Sequence, residues 1–445
     1  MLSIRGHVLR MAALAWPIIV AELGWMAMGL VDTVMVAPLG KEAIGAVGVA
    51  NILYDTFGIF ALGLLLGLDP LVAQAFGAGR PEDANRFLRQ GVWLALFLTP
   101  PTMLMALSLP GLMTWTGVQP PVRALAGPYI DALAAGTLPL LLYAAFRRFL
   151  QATGRVRPVM VALLLANGVN AAANAVLIHG AWGVPAFGVA GSGWATAVAR
   201  LFLAVWLLAA TRWDDVTGLW SRGLRWVRPC LADLRELLRL GAPAAGQIGL
   251  EIAVFGAATM LAGRLSTTSL AAHHIALNLA SLTFMVPLGI SSAGAVAVGH
   301  ALGRGEPAEA KRAGWVALGF AGAFMSLAGV VFALAPRWLL GVFTNDPELL
   351  AIGAGLLRFA AVCQLFDGLQ VAATGVLRGA AETRLPMAAN LAGHWAIGLP
   401  LGYYLCFGRG MDAAGLWAGL SAGLIIVALV LVGLWWRRPL RPVAS

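Results

Sequence analysis

Apolar residues in this chain neither alternate nor keep to one helical face; they run on in stretches of about twenty, separated by short polar or glycine- and proline-rich breaks. A helix of that length crosses the hydrocarbon layer while satisfying its own backbone hydrogen bonds, whereas the strands of a membrane barrel would alternate. Such runs predict twelve spans, near 9–36, 46–72, 88–109, 125–146, 159–180 and 189–211, then 236–262, 271–299, 313–335, 350–377, 386–407 and 413–436. The first run continues past Asp32 instead of ending in a small-residue cleavage site, so no cleavable signal peptide is expected. The expected fold class is an all-α polytopic membrane protein.

The pattern also repeats. GAGRPEDANR begins at Gly77 and GRGEPAEAKR at Gly303, an offset of 303 − 77 = 226, and Pro17 meets Pro243 in the same register. Pro158 with Pro386 gives 228 and Gly191 with Gly415 gives 224, as drifting loops would. Six spans per half bring both halves into the membrane from the same face, so these are parallel repeats. The expected organisation is an amino-terminal lobe over 1–211, a cytoplasmic linker over 212–235 carrying Trp213, Trp220 and Trp226 at the membrane surface, and a carboxy-terminal lobe over 236–445. Transporters of this design place their site between the halves near the bilayer midplane.

Composition excludes a soluble protein: 60% of residues are hydrophobic and 11% charged, against roughly a quarter charged in a soluble domain. The net charge of +10 would suit nucleic acid, but its placement points to membrane topology. One set of alternating loops holds Arg5 and Arg10, then Arg80, Arg86 and Arg89, then Arg147, Arg148, Arg155 and Arg157, then Arg212, Arg222, Arg225, Arg228, Arg235 and Arg239, then Arg304, Lys311 and Arg312, then Arg378 and Arg384, and finally Arg437, Arg438 and Arg441. The opposite set holds Lys41, Arg123, Arg264, Arg337 and Arg409. The positive-inside rule therefore puts both termini in the cytoplasm, with lipid rather than nucleic acid around the chain.

Cys230, Cys363 and Cys406 are odd in number and lack metal-ligand spacing, so they read as small apolar fillers. No GxxxxGK[ST] or HExxH occurs, which disfavours an ATP-driven pump or a zinc hydrolase and leaves an ion gradient as the driving force.

An ionised carboxylate at membrane depth costs at least about 2.5 kcal/mol, so each one asks for an explanation. Asp32, Glu251 and Asp367 lie inside long apolar runs beside small residues that allow close packing or a wet pocket, where a carboxyl can hold a proton or a metal cation. The bland alternative is an acid buried for packing specificity. Asp69 and Asp131 fall near span ends; Glu22 and Asp55 are deeper, with no partner evident in sequence. Asn167, Asn170 and Asn174 recur at spacings of three and four and share one helical face. His273, His274, His300 and His394 read as packing or interface residues, and Arg200 and Arg358 as cations that pair with an acid or snorkel.

Several stretches resemble the MATE (multidrug and toxic compound extrusion) family, in its NorM-like branch. GLVDTVMVAPLG from Gly29 is similar to the family's first-span signature and GLDPLVAQAFGAG from Gly67 to its second-span and loop signature. LEIAVFGAATMLAG carries Glu251 at the seventh-span glutamate, and AAHHIALNLASLTFMVPLGISSAGAVAVGHALG is similar to the eighth-span motif. CQLFDGLQVAATGVLRGAAETRLPM carries Asp367 at the tenth-span acidic position and the LRG turn.

The resemblance, which covers nearly the whole chain, implies two pseudo-symmetric six-helix lobes forming a V-shaped central cleft. It implies export of cationic or amphipathic organic compounds in exchange for H+ or Na+, with no cofactor and no enzymatic activity, by a monomer. It assigns Asp32 as the proton and substrate acid of the amino-terminal lobe, and Glu251 and Asp367 as a cation pair able to hold Na+. Asn170 and Asn174 match the family's fifth-span asparagines and are expected in support. Cys363 stands where some sodium-coupled relatives have a tyrosine, and His274 where a glutamine is common in the eighth-span motif. A thiol is a poor ligand for a hard cation, which favours protons, while two carboxylates keep sodium open. A flippase for a lipid-linked or amphipathic cell-envelope precursor is the alternative, and a gated channel a third reading.

Overall fold

The computed structural model describes residues 3–213, 215, 217–221 and 228–440, and every regular element among them is helical. Arg222, Arg225, Trp226 and Arg441 lie outside the described residues. The helices are α1 (Ile4–Val36), α2 (Lys41–Leu64), α3 (Leu68–Gly77), α4 (Pro81–Trp115), α5 (Pro120–Ala135), α6 (Thr137–Ala152), α7 (Arg157–His179) and α8 (Val189–Trp213). There follow α9 (Leu231–Ala262), α10 (Thr267–Gly303), α11 (Pro307–Leu334), the short α12 (Pro336–Gly341), α13 (Pro347–Gly379), α14 (Arg384–Asn390), α15 (Leu399–Tyr403) and α16 (Asp412–Arg437).

Among the described residues, ten helical stretches are long and apolar enough to cross a membrane; in the second of these, α2 and α3 join through a single 3-10 turn. The fourth expected span is two helices, α5 and α6, bent by 46°. Pro139 lacks the N–H that would bond the Ala135 carbonyl, and Gly136 at the break lets the chain lie close to Ala197 of α8.

The eleventh expected span is helical from Arg384 to Gly408, but widens to π-helical turns at Leu391–Gly398 and Tyr404–Gly408 on either side of α15. Pro400 removes an N–H inside the run, and Gly398 and Gly402 press it backbone to backbone against α16. A side chain at Gly398 would lie 3.2 Å from the Gly419 carbonyl oxygen. Counting the bent pair and this run as one passage each gives the twelve that hydropathy predicts.

By its contacts the chain divides into one unit of Val20–Ala245 and another of Met1–Ile19 with Gly246–Ser445. Both divisions fall inside helices, α1 and α9, at equivalent positions of the repeat: 245 − 19 = 226. Each lies two residues past a helix-internal proline, Pro17 or Pro243.

Within Val20–Ala245, α8 packs on α5, α6 and α7. Gly193 meets the Tyr129 backbone and Gly191 the Leu177 backbone, the small-residue contacts that let helices approach when lipid offers no hydrophobic drive. Within the other unit α13 is central, packed on α10, α11 and α16. There Gly375 meets the Ser291 backbone and Gly368 the side chain of Met325.

Candidate functional site

In the unit Val20–Ala245, α1 carries Asp32 to a buried position, 3% exposed, where two other helices supply donors. Asn170 and Asn174, one turn apart on α7, donate to Asp32 Oδ1 at 3.0 and 2.8 Å, and Thr196 of α8 donates to Oδ2 at 2.7 Å. Asn167, on the same face by spacing, turns away to donate to the Gly24 and Leu163 carbonyls. Asp32 is thus a carboxylate held by three neutral donors, an arrangement that stabilises its charged form without cancelling the charge.

The same unit buries Arg200, whose Nη1 donates to Tyr54 Oη at 3.1 Å; Tyr54 Oη also pairs with Thr137 Oγ1 at 2.9 Å. Tyr129 donates to Asn51 Oδ1 at 3.0 Å. Asp55 follows Tyr54 on α2 with an accessible side chain.

In the unit holding Gly246–Ser445, Glu251 of α9 accepts from Gln370 Nε2 of α13 at 3.3 Å, and the same amide reaches Asn390 Oδ1 of α14 at 3.5 Å. Asp367 lies three residues before Gln370 on α13, within electrostatic reach of Glu251, and accepts no hydrogen bond from the described residues. Gln370 Oε1 is buried without a donor. Two carboxylates and the amides of Gln370 and Asn390 thus share one neighbourhood.

Cys363 is buried one turn before Asp367. His274 is exposed, its described contact the edge of the His273 ring at 6.0 Å. His273 is fixed by geometry. Trp417 Nε1, which can only donate, gives its proton to His273 Nδ1 at 3.0 Å. The ring proton must then sit on Nε2 and is donated to Thr259 Oγ1 at 3.0 Å, which in turn donates to the Phe255 carbonyl at 2.9 Å. His394 is buried beside the Phe255 ring, one turn after Asn390.

The remaining acids separate cleanly. Glu22 forms a buried ion pair with Arg147, whose Nη1 also donates to Tyr143 Oη at 3.2 Å. Arg147 reads in sequence as a loop charge, yet the end of α6 carries it into the core, because Glu22 offers the countercharge that burial demands. Asp69 pairs with Arg148 at 3.6 Å, and Asp131 is exposed. Thr196, Gln370, Asn390 and Arg147 escape a sequence reading that looks for acids; the available signal was a polar residue within a turn of an intramembrane charge, as Thr196 is to Arg200 and Gln370 to Asp367.

The MatE family profile matches residues 17–176 and again 243–404, two copies beginning 243 − 17 = 226 residues apart, the offset of the internal repeat. The chain is 38% identical over 446 residues to the multidrug resistance protein NorM of Burkholderia vietnamiensis, covering 98% of this chain and 94% of that protein. Its fold is similar to the crystal structure of a eukaryotic MATE transporter, AtDTX14, with a TM-score of 0.89 at 21% identity over 98% of this chain and 97% of that one. It is also similar to an outward-facing multidrug resistance MATE transporter of the MOP superfamily, with a TM-score of 0.84 at 21% identity, covering 97% and 96%.

Proposed function

The chain belongs to the MatE family of integral membrane transporters, and from that premise we propose that it is a multidrug efflux antiporter, exporting cationic or amphipathic organic compounds in exchange for H+ or Na+ by alternating access. The observation that carries this reading is the pair of unlike acid sites, one in each unit. Asp32, with Asn170, Asn174 and Thr196 donating to its two oxygens, suits an organic cation. Glu251 and Asp367 are two carboxylates in mutual reach, of which only Glu251 accepts a described hydrogen bond, from Gln370, and their repulsion is relieved by a proton or a metal cation.

Organic export then follows from competition. A cation that neutralises an acid favours the state that no longer binds the drug, and the gradient of that cation drives the exchange. No bond in the substrate is made or broken, so the chain acts as a carrier and needs no cofactor. The lobes 1–211 and 236–445 are the two halves of the machine, in a monomer with both termini in the cytoplasm of a bacterial inner membrane.

The direct test is uptake of a fluorescent organic cation into inverted vesicles under an imposed proton gradient or an imposed sodium gradient. Accumulation identifies antiport and the coupling ion, whereas none under either gradient would reject the antiport reading and redirect the search to an amphipathic envelope precursor.

A further inference from the structure

Arg200 is the unexplained charge of the amino-terminal site. It follows Thr196 by one turn on α8, so the residue that holds Asp32 Oδ2 and the guanidinium leave the helix on the same face. The residue is 5% exposed. Nη1 donates to Tyr54 Oη at 3.1 Å and to the Leu133 carbonyl at 3.4 Å, the group stands 4.9 Å from the Tyr54 ring centre, and Nε is buried without a partner.

Every one of these partners is neutral. Arginine does not give up its proton, so a guanidinium buried this way needs countercharge nearby. Two carboxylates stand within its electrostatic reach: Asp32 on α1 and Asp55 on α2, the latter adjacent to the Tyr54 that Arg200 touches. The other titratable groups facing it are Tyr54 and Tyr129 of α2 and α5; α7 presents asparagines. The formal charges sum to −1 − 1 + 1 = −1.

We propose that Arg200 sets the charge class of the exported compound: by cancelling one of two carboxylates it leaves the site one negative charge, which fits a singly charged organic cation and disfavours a dication. A second positive centre on the ligand would meet the guanidinium where it would otherwise find a carboxylate. This inference rests on the efflux reading above and adds the substrate class to it.

Ethidium and propidium share a planar ring system but carry one and two positive charges. Their fluorescence reports binding to the purified full-length protein in lipid nanodiscs. Arg200→Met should tighten propidium relative to ethidium by about tenfold, Arg200→Lys should keep the wild-type ratio, and Arg200→Met with Asp55→Asn, which restores a charge of −1, should return toward it. A folded Arg200→Met protein with the wild-type ratio overturns the proposal, as does an equal change in Arg200→Lys. Should Arg200→Met fail to fold, Asp55→Asn alone decides: loss falling more on propidium than on ethidium supports the proposal, and equal loss overturns it. Wild-type protein that binds neither dye overturns the efflux reading and this inference together, whereas binding of both with an unmoved ratio overturns the inference alone.

Discussion

Asp32 lies on α1 and Glu251 on α9, helices that the repeat pairs, yet the surroundings of Asp32 and of the Glu251–Asp367 pair are opposite. Asp32 is saturated with donors from α7 and α8 and has a buried arginine one turn beyond its threonine. Glu251 accepts one long hydrogen bond, from Gln370, and Asp367 none among the described residues, with no cation described beside them. A preorganised carboxylate recognises a ligand at little reorganisation cost, while an undersupplied pair of acids keeps a demand for positive charge that a small ion meets. The difference teaches that pseudo-symmetry of the backbone leaves each half free to specialise its charge chemistry.

The comparison breaks most visibly under neutralisation. Asp32→Asn should abolish both dye binding and dye accumulation in inverted vesicles, whereas Glu251→Gln and Asp367→Asn should abolish gradient-driven accumulation and leave dye binding near the wild-type level. The reverse pattern would exchange the roles of the two sites, and full transport by all three variants would remove both. A third acid of the amino-terminal unit, Glu22, sharpens the contrast because its partner is charged. Arg147→Ala strands a buried carboxylate and should cost roughly 3–5 kcal/mol in thermal unfolding, with part recovered when Glu22→Met is added.

Smaller effects follow from single donors. Thr196→Val removes the donor to Asp32 Oδ2 and should raise the dye Kd about tenfold. Gln370→Met should shift the ion concentration for half-maximal drive by about threefold, since its bond to Glu251 is long. Smallest of all, His273→Phe should lower stability by about 1 kcal/mol and leave the ion dependence unmoved, because the Trp417 indole already commits that imidazole to one tautomer.

The spans and the repeat are legible in sequence because each depends on residues close together along the chain: hydropathy over about twenty residues, and a register of 226 that the family profile reproduces. Asn170 and Asn174 are legible for the same reason, by their spacing on one helix. Thr196 is not, since its role arises where α8 meets α1, and a threonine among alanines has an ordinary local explanation. Arg147 is misread because arginines at a span end usually face the cytoplasm; only the tertiary meeting with Glu22 buries it. The π-helical turns of the eleventh span are hidden because the apolar run looks continuous, while the cause is backbone contact between Gly398 or Gly402 and α16.

The helix divisions at Ile19 and Ala245 bear on how the chain is made. The unit that begins at Val20 includes the opening turns of α9, where Gly241 lies against the Leu64 backbone and Ala245 against Gly63. A ribosome that has released six spans has therefore not yet supplied everything this unit is built from, and Met1–Ile19 waits longer still, for a body that starts at Gly246. Assembly is interleaved in time: the amino-terminal unit is completed by the opening turns of α9, and the opening turns of α1 find their place among helices made later.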